Sequence, residues 1–278
     1  MTTHSPVGLV DTHCHLQEEV LEGHVEAIVS RARETGVSHL VVNGTHPGDW
    51  PQVLDLARTY PEVVPCFGLH PWFVGDAPGN WAEVLEHYID VVPSAVGEIG
   101  LDRWVKDRDE VAQEEAFRIQ LATAYRRHLP VMVHCLRAWG WLMGILQEVG
   151  PSPAGMLIHA YGGPAELIGP LCDLGGYFSF AGNVLDDRRK RARASLLAVP
   201  LDRLLVETDA PAMLPPEPFG PHVIVGPDGE QWNEPANLPS IAVGIAQLLR
   251  VSPEALADAT RENARNLFGD LLCRTNAS

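Results

Sequence analysis

The chain has 278 residues, 46% of them hydrophobic, and carries 36 aspartates and glutamates against 20 lysines and arginines, a formal net charge of −16 at pH 7. That length suits one α/β barrel of roughly 250 residues, so the expectation is a single domain over 1–278 with a sizeable core. The acidity excludes a protein that grips nucleic acid through a globally basic face, and any such contact has to be local.

Apolar strand-like runs lie at 7–13, 39–45, 63–69, 94–99, 130–134, 155–159, 177–181 and 204–208. Amphipathic segments near 20–35, 50–59, 81–90, 110–128, 138–149, 164–174, 187–198 and 237–250 follow them in turn. Eight strands each followed by a helix favour a closed parallel (β/α)8 TIM barrel over an open sheet. A further helix over 253–268 opens on Ser252 as N-cap with Pro253 in the first turn, and Gly269 can terminate it; its expected role is packing. The proline-rich stretch 211–239 follows the eighth strand, so it lies at the barrel mouth, and it is long for a βα loop.

No apolar run approaches the roughly 20 residues of a membrane span. The opening residues Met-Thr-Thr-His-Ser-Pro do not form a charged segment followed by an apolar one. The five cysteines, Cys14, Cys66, Cys135, Cys172 and Cys273, are scattered without Cys-x-x-Cys spacing, which reads as reduced thiols in the cytoplasm.

Polar, titratable residues recur where the strands end. His13 and His15 stand in Val-Asp-Thr-His-Cys-His, Glu98 in Ala-Val-Gly-Glu-Ile-Gly, His134 in Pro-Val-Met-Val-His, His159 in Gly-Met-Leu-Ile-His, and Asp209 in Leu-Leu-Val-Glu-Thr-Asp. Active sites of such barrels collect at the carboxyl ends of the strands. Strand alternation puts His13 and His15 on one face and Cys14 on the other, so Cys14 is not expected to be a ligand. The same period pairs Val96 with Glu98, Met132 with His134, Leu157 with His159 and Glu207 with Asp209. Catalytic zinc usually takes three protein ligands, so these six residues are better divided over two divalent ions, with Glu98 on a middle strand as the bridge. The mixed imidazole and carboxylate set leaves magnesium, manganese and zinc open. Asp209 can hold a metal and also take the proton of the attacking water. Gly-x-Ser-x-Gly, Gly-x-x-x-x-Gly-Lys and Gly-x-Gly-x-x-Gly are absent, so no rival nucleophile or nucleotide loop competes.

The ordered motifs Asp-Thr-His-Cys-His-Leu, Gly-Leu-His-Pro, Gly-Glu-Ile-Gly-Leu-Asp, Pro-Val-x-Val-His, Ile-His-Ala-Tyr-Gly-Gly, Val-Glu-Thr-Asp-Ala-Pro, Asn-Glu-Pro and Asn-Ala-Arg-Asn-Leu-Phe span residues 8 to 270. In that combination the chain resembles the TatD family of metal-dependent deoxyribonucleases, within the amidohydrolase superfamily. The resemblance implies a TIM-barrel nuclease in which His13, His15 and Asp209 hold one ion, His134 and His159 the other, and Glu98 bridges. It implies that His70, in Gly-Leu-His-Pro, contacts a substrate phosphate, and that DNA is the substrate. The alternative is a relative in the same superfamily that hydrolyses a small amide, lactone or phosphoester.

The chain departs from that pattern in places. A basic residue usual before Asn-Glu-Pro is replaced by Gly-Pro-Asp-Gly-Glu-Gln-Trp, and Arg137 stands one place later than the family's arginine after the fifth strand. Trp72, His222 and Trp232 are candidate stacking surfaces for bases. Glu207 is expected to orient a metal-bound imidazole, and Asp102 either does the same or caps a surface turn. The basic run Arg188-Arg189-Lys190-Arg191-x-Arg193 is either a nucleic-acid patch or an exposed helix face.

Overall fold

The computed structural model describes residues 8–273; the amino-terminal stretch read above and the first position of the first expected strand lie outside them. Eight parallel strands run in chain order around one sheet: β1 (Leu9–Cys14), β2 (Val37–Asn43), β3 (Val63–Phe67), β4 (Ala95–Asp102), β5 (Val131–Leu136), β6 (Met156–Ile158), β7 (Gly176–Phe180) and β8 (Leu204–Val206). The helices between and after them are α1 (Val25–Glu34), α2 (Trp50–Thr59), α3 (Trp81–Val91), α4 (Glu110–Arg127), α5 (Trp139–Val149), α6 (Ile168–Asp173), α7 (Lys190–Ala198), α8 (Leu238–Leu249) and α9 (Pro253–Phe268). The seam between β8 and β1 is crossed by single bonds rather than a ladder. Thr12 Oγ1 donates to the Val206 carbonyl at 2.9 Å, Asp209 N–H to His13 O at 2.9 Å, and His15 N–H to Ala210 O at 2.7 Å. The expected (β/α)8 barrel is present and nearly closed.

Valine and leucine dominate the strands because both sheet faces are buried. Val10, Val41, Val64, Cys66, Ala95, Met132, Leu157, Tyr177 and Leu205 form the interior layer, and their neighbours Leu9, Leu40, Val63, Val96, Val131, Met156 and Leu204 pack under the helices. Ala264, Leu267 and Phe268 of α9, with Leu271 beyond it, join the interior layer. Asn263 on the same helix donates to Leu201 O and Leu204 O at 2.8 Å, at the entry to β8. Helix α9 therefore floors the barrel at the amino ends of the strands, each buried leucine or phenylalanine there contributing about 1.5–3 kcal/mol. Its start is the expected one, with Ser252 Oγ accepting from Ala255 N–H at 3.1 Å. With that end filled by α9, the interior layer of the barrel is closed below among the described residues.

Strict alternation fails in two strands, and both failures serve the mouth. The pairing of β4 with β5 slips between Val96 and Ile99, so Ala95 faces the interior, Val96 faces the helices, and Glu98 still turns inward. The expected sharing of a face by Val96 and Glu98 is thus wrong, because a slip of one residue exchanges faces. A Cβ on Gly97 would lie 2.4 Å from Met132 Cβ, and one on Gly100 would lie 1.9 Å from the His134 carbonyl oxygen. Glycine alone permits that approach, which accounts for Gly-Glu-Ile-Gly. In β1 the register with β2 shifts twice, between Leu9 and Val10 and between Asp11 and Cys14; His13 turns to the mouth while Cys14 is buried under the helices, its thiol 3.5 Å from Val41 O.

Other boundaries move modestly. The 20–35 segment divides into a 3-10 turn at Glu19–Leu21 and α1, the 164–174 segment into a turn at Ala165–Leu167 and α6, and β4 runs on to Asp102. The proline-rich stretch holds a small antiparallel hairpin, β9 (Ile224–Val225) with β10 (Gln231–Trp232), which short-range periodicity over two residues does not reveal.

Candidate metal centre

Six strand-end residues converge at the mouth. Glu98 is at the centre and is buried. Its Oε2 lies 3.4 Å from both His13 Nε2 and His15 Nε2, and its Oε1 lies 3.0 Å from His134 Nδ1 and 2.9 Å from His159 Nε2. One carboxylate thus faces two histidine pairs, one through each oxygen. Asp209 Oδ1 lies 3.7 Å from His13 Nε2 and 3.6 Å from His15 Nε2. Asp209 has a φ of 54°, the left-handed region that aspartate tolerates better than most residues, and such conformations gather at functional sites.

The outer contacts of the rings decide which nitrogens offer lone pairs. His15 Nδ1 meets the Asn43 carbonyl at 2.8 Å, and His134 Nε2 meets Asp102 Oδ2 at 3.0 Å. Both partners only accept, so a proton lies on each of those outer nitrogens, and the inner nitrogens that face Glu98 are the ones left to bind a cation in place of a proton. His70 is the opposite case. Its Nδ1 accepts from the Trp72 backbone N–H at 3.2 Å, which puts its proton on Nε2, aimed at Glu98 Oε1 3.5 Å away. His70 is a hydrogen-bond donor to the centre, although its position groups it with Glu98 and His134.

Three sets of side chains bring ligand atoms within 4.8 Å of one another: His13, His15 and Asp209; His70, Glu98 and His134; and His13, His159 and Glu207. The donor set suits divalent cations, since it pairs neutral imidazole nitrogens with carboxylate oxygens. The outer Nδ1 atoms of His13 and His159 are buried without a hydrogen-bond partner, so these two rings are held chiefly through their Nε2 atoms, which face Glu98. The local charge points the same way. Burial opposes an imidazolium at His15, yet the Asp209 hydrogen bond and Glu98 raise it to about 9, and Glu98 with Glu207 raises His159 well above its ordinary value. Burial alone would raise Glu98, but the histidines around it, His159 foremost, hold it well below the carboxylate range. Burial takes His70 down to about 4, leaving it neutral. Carboxylates here draw positive charge to one point, and metal ions compete with protons for such ligands.

A family model described as TatD related DNase matches residues 10–269. The chain belongs to the TatD family. It is 33% identical to an uncharacterized metal-dependent hydrolase YabD of Bacillus subtilis, over 94% of this chain and 98% of that protein. It is 32% identical to the 3′–5′ ssDNA/RNA exonuclease TatD of Edwardsiella piscicida (94% and 99% covered) and 30% identical to the human deoxyribonuclease TATDN3 (95% and 96% covered). Among solved structures, the TatD homologue YJJV of Escherichia coli superposes with a TM-score of 0.85 at 28% identity, covering 94% of this chain and 97% of that one.

In this TatD-family chain two carboxylates stand behind the histidines. Glu207 is buried; its Oε1 accepts from Ala160 N–H at 2.8 Å and lies 3.6 Å from His159 Nδ1, while Ser179 donates to Oε2. Asp102 resolves the alternative left open by sequence. It is fully buried and accepts from His134 Nε2, from the Trp72 indole at 2.7 Å, and from the Trp104 and Val105 N–H groups at 2.5 and 3.2 Å. Burial would raise its carboxyl, but the His134 and Trp72 bonds hold it at about 2.

Two contributors escaped sequence reading. Asn43 orients His15 through its carbonyl oxygen, which any residue at the β2 exit supplies, so no side-chain signal exists. Asp11 accepts from Thr208 N–H at 2.9 Å and from its hydroxyl, tying β1 to the β8 exit, and burial pushes its carboxyl up to about 8. Its place two residues before His13 was the available signal.

Of the aromatic candidates, Trp72 borders the centre, its indole 5.2 Å from the His70 ring. Trp232 packs against the core, and the His222 backbone is clasped by Asn237 at 2.9 and 2.7 Å. Glu234 of Asn-Glu-Pro is buried in a two-pronged pair with Arg31 of α1, so that motif anchors the long loop. The basic run is partly neutralised: Arg188 pairs with Asp186 and Arg193 with Asp187. No helix among the described residues is long and apolar enough to cross a membrane.

Proposed function

We propose that this chain hydrolyses phosphodiester bonds of DNA, preferentially in single strands, at a two-metal centre. In this reading His13, His15 and Asp209 would hold one ion, His134 and His159 the other, and Glu98, whose two oxygens face the two histidine pairs, would serve both. The observation that carries it is the orientation of the rings: His15 and His134 are each held by an acceptor behind them with the other ring nitrogen turned to Glu98, whereas His70 presents a proton. Magnesium, manganese and zinc all suit the donor set. Bound divalent ions supply an acidified water and neutralise charge at the scissile phosphate.

The chain's own groups account for the remaining work. Asp209, at the edge of the centre, takes the proton from the attacking water. His70 donates its Nε2 proton to a non-bridging phosphate oxygen, exchanging its contact with Glu98 for one with substrate. As the new P–O bond forms, the bond to the leaving oxygen breaks, and that oxygen takes a proton from solvent. The family membership and the named activities of the TatD and TATDN3 relatives support a nucleic-acid substrate.

The test is a panel of labelled single- and double-stranded DNA, RNA, small phosphoesters, amides and lactones, each with magnesium, manganese, zinc or chelator. Metal-dependent cleavage of single-stranded DNA that chelator abolishes is expected. Turnover of an amide or lactone alone, or cleavage indifferent to chelator, refutes the proposal.

A further inference from the structure

Beside the metal centre a cleft of about 680 Å³ is lined by Trp72, Phe73, Trp104, Val105, Lys106 and Arg137. Among the described residues Trp72 and Trp104 are the only exposed tryptophans, at 49% and 54%. Large aromatic faces left to water ask for an explanation, because burying them is favourable. The cations are also unusual here. The chain has only two lysines, and most arginines at its surface are tied to carboxylates, as Arg103 and Arg108 are to Glu110 close by. Lys106 and Arg137 line the cleft and form no ion pair among the described residues. Arg137 also holds a φ of 58°, a left-handed conformation that costs an arginine energy and persists where the surroundings impose it.

Asp102 joins this cleft to the centre. Its carboxylate receives the Trp72 indole, the Trp104 and Val105 backbone N–H groups and the His134 ring. One buried anion thus fixes both aromatic walls and a ring of the metal centre.

We infer that the Trp72–Trp104 cleft is a single-strand subsite, in which one unpaired nucleobase stacks on the indoles and a flanking phosphate is met by Lys106 and Arg137. This deepens the phosphodiesterase reading above and rests on it. A base within a duplex has both faces covered by its neighbours, so only a single strand or a splayed end offers a free face to an indole. In a chain of net charge −16, two unpaired cations beside two bare indoles supply the local footprint that the overall composition lacks.

The test is fluorescence anisotropy of a labelled oligothymidylate at low salt with excess chelator, so that binding is read without hydrolysis. Trp104→Ala is expected to weaken binding about tenfold, within the range for loss of one stacking platform, and Trp104→Phe to restore most of it. Lys106→Ala is expected to weaken binding and to reduce the slope of log affinity against log salt by about 1. Both side chains are exposed, and thermal melting verifies that the variants fold. Affinities within twofold of the wild type for Trp104→Ala and Lys106→Ala overturn the subsite, as does absence of binding by the wild type. The activity is read separately: binding that depends on Trp104 and Lys106 in a protein that hydrolyses nothing in the panel sinks the phosphodiesterase reading alone. Hydrolysis of single strands by a protein whose variants bind normally sinks the subsite alone.

Discussion

Replacing Asp102 by asparagine separates the support of the metal centre from its ligands. The carboxylate accepts four hydrogen bonds, from His134 Nε2, the Trp72 indole and two backbone N–H groups. Asparagine keeps one oxygen and puts an NH2 where the other stood, so either His134 and Trp72 or the 104–105 backbone meets a donor instead of an acceptor. With the amide turned towards His134, the imidazole proton moves to Nδ1 and the lone pair facing Glu98 is lost. A hydrogen bond to a charged group contributes about 1.5–3 kcal/mol. At about 1.4 kcal/mol per factor of ten, that is roughly 10- to 150-fold in affinity, consistent with the 10- to 100-fold usual for partners behind a metal ligand. Calorimetric titration of the metal-free variant with zinc or manganese should therefore show one site weakened by about 10- to 100-fold. The site formed around His13 and His15, which Asp102 does not touch, should stay within threefold of the wild type. Two sites of wild-type affinity in a folded Asp102→Asn protein would show that Asp102 does not orient His134.

Three further outcomes follow from the geometry. Cys14→Ser should keep wild-type metal content and turnover, because the thiol lies under the helices against Val41 O, whereas His13→Ala should lose turnover and one bound ion; metal analysis and rate assays compare the two. Glu98→Ala should lower the metal content towards one ion per chain by elemental analysis, since both of its oxygens face histidine pairs; two retained ions would exclude Glu98 as the bridge. Leu267→Ala opens a cavity in the barrel floor and should cost about 2–5 kcal/mol in urea denaturation while leaving metal affinity unchanged, because the floor and the mouth lie at opposite ends of the strands.

Much of this protein is written locally in its sequence. Alternating apolar runs and amphipathic segments specify eight strand–helix units, because each period matches one backbone geometry and the apolar faces must meet. Ser252 starts α9 as sequence predicts, since a cap concerns only neighbouring residues. The positions of His13, His15, Glu98, His134, His159 and Asp209 at strand exits were likewise legible, because a parallel barrel brings every strand exit to one rim. Tertiary structure alone decided what those residues face. Alternation placed Val96 with Glu98, but close passage of β4 over β5 at Gly97 and Gly100 shifts the register and separates them. Sequence left Asp102 between a turn cap and an orienting role; it caps the 104–105 turn and holds Trp72 and His134 as well, which lie 30 and 32 residues from it in opposite directions along the chain. Which histidine offers a lone pair and which a proton depends on acceptors and donors such as the Asn43 carbonyl and the Trp72 N–H. Those are backbone groups common to nearly every residue type, so no sequence pattern marks them, and only the packed barrel sets them behind one ring or another.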